Sequence, residues 1–178
     1  MFLACGYAAS APPNPIGRAG LFEHLARLGI STRTVEHPAV HTVAESSAIE
    51  IALPGAHTKN LFLKDEDGRL VLVVAESATR VDIKGLSKKL GTGRLSFGKP
   101  ELMMEVLGVT PGSVTAFAIV NDIQQRVRIV LDNVLTLHDS VNCHPMENTA
   151  TTNIALGDLL SFIRSTGHEP HIMIVSAS

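Results

Sequence analysis

Lys59 and Asn60 open the apolar run Leu61-Phe62-Leu63, directly after the breaker Pro54-Gly55 and the polar pair His57-Thr58. A lysine at the mouth of a strand can hold a phosphate as a point charge. Pattern alone favours the plainer role of a lysine snorkelling to solvent. A second polar knot, His144-Pro145-Met146-Glu147-Asn148, lies between two apolar segments. His144 there can donate to a substrate oxygen or position a water, against the simpler reading of a histidine satisfied by backbone. Pro111-Gly112-Ser113 offers closely spaced backbone N–H groups, which suit a carbonyl oxygen or a developing oxyanion. It also reads as an ordinary turn.

Other chemistries find no support. The chain has no Gly-x-Ser-x-Gly elbow, no Walker-type loop and no Cys-x-x-Cys pair. Gly91-Thr92-Gly93 is too short for a dinucleotide fingerprint. Eight histidines invite a metal reading, with His37 and His41 four apart and His168 and His171 three apart. Pro38 breaks the helix that would put the first pair on one face, so capping or surface histidines are the better reading. No metal and no cofactor are expected.

The bulk numbers bound the rest. A chain of 178 residues with 45% apolar and 18% charged residues can bury a single core and is not disordered by composition. A net charge of −2 and the absence of Trp argue against a nucleic-acid-wrapping surface or an aromatic stacking platform. Any RNA contact must be local. The stretch Arg80, Lys84, Lys88, Lys89, Arg94 and Lys99, opposed only by Asp82, is the one candidate footprint. Lys84 and Lys88 are four apart and share a helix face, although most such runs are solvated faces. Cys5 and Cys143 make no disulfide framework, so reduced thiols and a cytoplasmic setting are expected. No apolar run approaches a membrane span.

These groups need elements to hold them. Helical spacing runs from about Arg18 to Leu28, a strand covers Thr32–Glu36, and Thr42 can cap a helix reaching about Leu53. Asn60–Lys64 and Arg69–Ala75 flank the turn Asp65-Glu66-Asp67-Gly68 as a hairpin. A helix from about Asp82 to Leu90, a strand over Gly91–Gly98 and a helix over Pro100–Leu107 follow. Val114–Val120, Arg126–Leu131, Val141–His144 and Thr151–Ala155 read as strands, then a helix over Asp158–Arg164 and a strand over His171–Val175. The order predicts an α/β fold with a mixed sheet. Residues 1–15, with three prolines, read as a loosely packed arm, and 16–178 as one domain.

Three segments in order carry a family resemblance: Pro54-Gly55-Ala56-His57-Thr58-Lys59-Asn60-Leu61-Phe62-Leu63-Lys64-Asp65, the stretch Gly93–Gly98 with Leu107–Thr115, and Asn142-Cys143-His144-Pro145-Met146-Glu147-Asn148. The chain resembles the YbaK/prolyl-tRNA synthetase-associated editing domains over residues 17 to 175, and within them the freestanding PrdX or ProXp-ala type. The resemblance implies a partly barrel-like mixed sheet surrounded by helices, and hydrolysis of mischarged tRNA(Pro), above all Ala-tRNA(Pro). It implies that Lys59 anchors a phosphate near the terminal adenosine, and that Asn60 and Thr58 make polar contacts to the substrate. Gly112 and Ser113 would embrace the aminoacyl group, with His144 at the site and Asn148 bracing it. Lys84, Lys88 and Arg94, from the basic stretch, are the candidate tRNA contacts, and the acceptor end of mischarged tRNA(Pro) is the expected partner.

An aminoacyl ester is already activated, so a positioned water and a stabilised oxyanion suffice. The resemblance implies that the substrate's own 2′-hydroxyl helps activate that water. A pocket shaped for proline rejects a smaller amino acid by only about 1–3 kcal/mol, which a second sieve corrects; Val35, Val43, Leu61 and Leu63 are candidate walls. Cys-tRNA(Pro) or another small mischarged ester is the alternative substrate, and a noncatalytic module binding tRNA or prolyl-tRNA synthetase the alternative class. A monomer or small homo-oligomer is expected.

Overall fold

The computed structural model describes residues 14–39 and 53–177. The expected arm up to residue 13, the helix from Thr42, and Val43 lie outside the described residues.

Helix α1 (Arg18–Arg27) buries Leu21 and Leu25 and leads into strand β1 (Thr32–Glu36). Strands β2 (Ala56–Lys64) and β3 (Leu70–Glu76) form the expected hairpin. Its turn is held by the Asp65 side chain, which accepts from the Arg69 N–H at 2.8 Å. Helix α2 (Ile83–Leu90) is capped by Asp82, whose carboxylate accepts from the Gly85 N–H at 2.9 Å, and ends at Gly91 in the left-handed region. Strand β4 (Ser96–Phe97) and helix α3 (Pro100–Leu107) follow, the latter with proline at its first turn. Strands β5 (Val127–Asp132), β6 (Ser140–Cys143) and β7 (Ala150–Ala155), helix α4 (Leu156–Ser165) and strand β8 (His171–Met173) complete the chain.

The eight strands form one mixed sheet in the order β1-β7-β6-β2-β3-β5-β8, with β4 added to β2. The β2–β6, β3–β5 and β5–β8 pairs are parallel, the others antiparallel. Strand alternation gives the sheet two apolar faces. Phe62, Leu70, Leu72 and Val74 pack on one side against Phe117, Ile119, Leu159 and Phe162. Leu63, Val71, Val73 and Ala75 pack on the other against Leu86 of α2.

Two expectations fail. Val114–Val120 is not a strand: Ala116–Asn121 is a 3₁₀ turn, started by Thr115, whose hydroxyl accepts from the Phe117 N–H, and it is buried throughout. A short apolar run surrounded by core on every side carries no periodicity to separate strand from helix. The expected strand Gly91–Gly98 shrinks to Ser96–Phe97, because Gly91 is consumed in ending α2.

Candidate functional site

The mouth of β2 is fixed by an amide network. Asn142 and Asn153 both donate to the Pro54 carbonyl, at 2.9 and 2.8 Å, and Asn153 also donates to the Asn142 side-chain oxygen at 2.9 Å. Gly55 has φ +89°, and a Cβ there would collide with the Ser140 backbone, so only glycine fits this approach of the turn to β6. The parallel register Ala56↔Val141 and His57↔Asn142 then carries Thr58 to the end of β6. Its hydroxyl donates to the Asn142 carbonyl at 2.8 Å and lies 3.5 Å from the Cys143 sulfur.

His144 follows at once. Its Nδ1 is 3.0 Å from the Ala150 carbonyl. A carbonyl only accepts, so Nδ1 carries a proton, and in the neutral form of the ring the lone pair is on Nε2. Among the described residues nothing bonds that Nε2. The expected brace, Asn148, sits elsewhere: its Nδ2 is 3.7 Å from where a Cβ on Gly112 would lie. The turn from Thr110 to Ser113 and the segment from His144 to Asn148 are thereby brought together. The Ser113 N–H already closes the turn onto the Thr110 carbonyl at 3.0 Å, with Gly112 at φ +89° as a proline–glycine turn requires. That leaves the Gly112 N–H as the turn's available donor.

Lys59 and Asn60 point to opposite faces of β2. Lys59 shares a face with Leu61 and Leu63, Asn60 with Thr58 and Phe62. The Lys59 ammonium donates to the Ser77 carbonyl at 3.0 Å, which leaves two of its three donors for a ligand. The Asn60 side-chain oxygen is buried without a hydrogen-bond partner, a costly state unless a ligand or water supplies a donor. Leu63 is fully buried under α2 and walls no open pocket.

Two contributors to the site, His37 and Arg18, escaped the sequence reading. His37, at the end of β1, bonds the Thr151 hydroxyl through Nε2 at 2.9 Å, and its ring centroid is 6.3 Å from that of His144. Arg18 of α1 reaches Glu147 at 2.7 Å and also pairs with Glu36, clamping the 144–148 segment, where Met146 has φ +71°. The hydrogen bond from Arg18, with its charge, holds the Glu36 carboxyl below the usual carboxylate range. Cys143 is no nucleophile: burial pushes its thiol up to about 11. The only signal for these contacts is long-range pairing, which spacing does not encode.

Lys84, Lys88 and Arg94 line one groove of about 640 Å³ with Thr92 and Leu95. Among the described residues no three His, Cys, Asp or Glu side chains cluster as metal ligands, and no helix is long and apolar enough to cross a membrane.

The structure brings the 144–148 segment to the glycine turn at Gly112, while Lys59 stands at the mouth of β2 with its ammonium on the Ser77 carbonyl. The chain belongs to the aminoacyl-tRNA editing domain family, which matches residues 37–162. It is 41% identical over 170 residues to a zebrafish (Danio rerio) prolyl-tRNA synthetase associated domain-containing protein 1, covering 94% of this chain and 91% of that protein. It is 34% identical over 145 residues to the prolyl-tRNA editing protein ProX of Acetoanaerobium sticklandii, covering 81% of this chain and 88% of that one. A solved structure described as a candidate trans-editing enzyme for prolyl tRNA synthetase shares the fold, with TM-score 0.70 at 21% identity over 93% of this chain and 100% of that chain.

Proposed function

We propose that this protein is a trans-acting deacylase that hydrolyses mischarged tRNA(Pro), with Ala-tRNA(Pro) as its principal substrate. The observation that carries the proposal is the contact of His144 Nδ1 with the Ala150 carbonyl at 3.0 Å. With Nδ1 committed to Ala150, Nε2 is free to accept from the attacking water or the terminal ribose. The reading is supported by the family match and by the names of two relatives, a prolyl-tRNA editing protein and a prolyl-tRNA synthetase associated protein.

In this mechanism Lys59 uses its spare donors on the phosphate beside the terminal adenosine, fixing the ester relative to the rim. Thr58 and the unpartnered Asn60 oxygen receive polar groups of the substrate on the other face of β2. The Gly112 N–H lies at the carbonyl oxygen, where negative charge develops in the tetrahedral state, with Ser113 and Asn148 shaping that side of the site. The substrate's 2′-hydroxyl shares the activation of water with His144, so neither is an indispensable base. Prolyl-tRNA synthetase, which would release the mischarged tRNA, is the natural partner in the cytoplasm.

Ala-, Cys-, Ser- and Pro-tRNA(Pro) compared side by side test the substrate. Hydrolysis of the alanyl ester at least about 10-fold faster than the others is expected, about what one or two methylenes are worth in a pocket. Fastest cleavage of the cysteinyl ester would reassign the substrate, and cleavage of none would leave a binding module.

A further inference from the structure

A second groove of about 360 Å³ lies at the opposite end of the sheet, where β3, β5 and β8 begin. Its charged lining is Arg69, Arg126 and Arg128, with His168 and His171 beside them, against the single acid Glu169. Glu169 is drawn away to Arg164 at 3.2 Å. Arg126 is paired with Glu105 at 2.7 Å, and Arg69 contacts Asp65 and Asp67 at 3.5 and 3.4 Å. Arg128 has no carboxylate partner among the described residues; its guanidinium donates to the Leu90 carbonyl at 3.0 Å, at the C-terminal end of α2. His168 is buried and held between Asp122 and Thr166, so it serves the wall and not the ligand.

This concentration of cations stands on a protein whose net charge is −2. Thr92 lines this groove and also the groove of Lys84, Lys88 and Arg94, so the two adjoin at Thr92 beyond the end of α2. Guanidinium and ammonium groups spread over two adjoining grooves suit a chain of spaced phosphates better than a single small anion. The register sets the distance to the ester site. Lys59 pairs with Ala75 of β3, and the groove opens at Leu70, five residues along the strand. At about 3.4 Å per residue the separation is roughly 17 Å.

We infer that the Arg69–Arg128 groove carries the phosphodiester backbone of the substrate RNA, several nucleotides from the esterified end. The inference rests on the deacylase reading of the site, and names how the enzyme holds the remote part of the same molecule. Arg128 is the principal contact, because no carboxylate competes for it, and Arg69 the secondary one.

The test compares two substrates, full-length mischarged tRNA and the same amino acid esterified to a CCA trinucleotide too short to reach the groove. Arg128→Glu and Arg69→Glu should each raise KM for the full-length substrate about 5- to 20-fold, leave kcat unchanged, and leave trinucleotide cleavage unchanged. The salt dependence of tRNA binding should flatten by about one unit of slope per contact removed. Arg128→Gln, expected to show a smaller rise in the same direction, covers the case in which charge reversal disturbs the end of α2. Equal behaviour of variants and wild type on both substrates would overturn the inference, and so would equal losses on both. If the wild type cleaves neither ester, the deacylase reading fails. The groove is then judged by binding of uncharged tRNA, where unchanged affinity and salt slope in Arg128→Glu would overturn it separately.

Discussion

Strand β3 and the 144–148 segment sit at two extremes of the same molecule. Every residue from Leu70 to Ala75 is buried, those from Leu70 to Val74 are paired on both sides, and the strand is packed on both faces. Around His144, Met146 takes a positive φ, a histidine ring nitrogen has no partner among the described residues, and an ion pair from Arg18, distant in sequence, supplies the brace. Satisfied backbone and close packing make the first region stable. The second is only half-buried at His144, Glu147 and Asn148, and it is where the proposed function puts the chemistry. On that proposal, stability and function are divided between them.

The division breaks most visibly in the core. Phe117 is fully buried and meets Phe162 edge-to-face, with ring centroids 5.5 Å apart. Phe117→Ala should cost about 3–5 kcal/mol, lowering Tm by roughly 10 °C in a domain of this size. Deacylation per folded molecule should stay near wild type, measured below the new Tm. A loss of activity in the folded fraction would show that core and rim are not separable.

The smaller effect lies at the rim. Gly112 has φ +89° but meets nothing closer than Asn148 at 3.7 Å, so Gly112→Ala pays only the backbone strain of about 1–2 kcal/mol. Its catalytic loss should be larger than its thermal loss, falling on kcat with little change in tRNA affinity. A purely thermal effect would show that catalysis does not depend on the φ of Gly112, which aims its N–H.

The two regions also differ in how well they can be read from sequence. The hairpin around Asp65–Gly68, the helix Pro100–Leu107 and the strand Thr32–Glu36 lie where turn chemistry and periodicity put them. Ala116–Asn121 went astray because a fully buried run is apolar whether it winds or extends. At the site, residue types were legible and geometry was not. Lys59 and Asn60 are neighbours in sequence but alternate across β2. Ala150, and not Asn148, holds His144, and a backbone carbonyl leaves no trace in residue identity. The Arg18–Glu147 clamp joins positions far apart in the chain, which no local pattern announces.

The central claim is most directly tested by single-turnover hydrolysis of Ala-tRNA(Pro) by wild type, Lys59→Ala and His144→Ala, with folding checked by thermal melts. The wild type should clear the ester well above the spontaneous rate. Lys59→Ala should lose about 10- to 100-fold, the worth of a charged hydrogen bond to phosphate. His144→Ala should lose up to about 100-fold, the lower end for a positioned acid or base, because the 2′-hydroxyl shares its task. A wild type no faster than the spontaneous rate, or variants that are folded and as fast as wild type, would contradict the account.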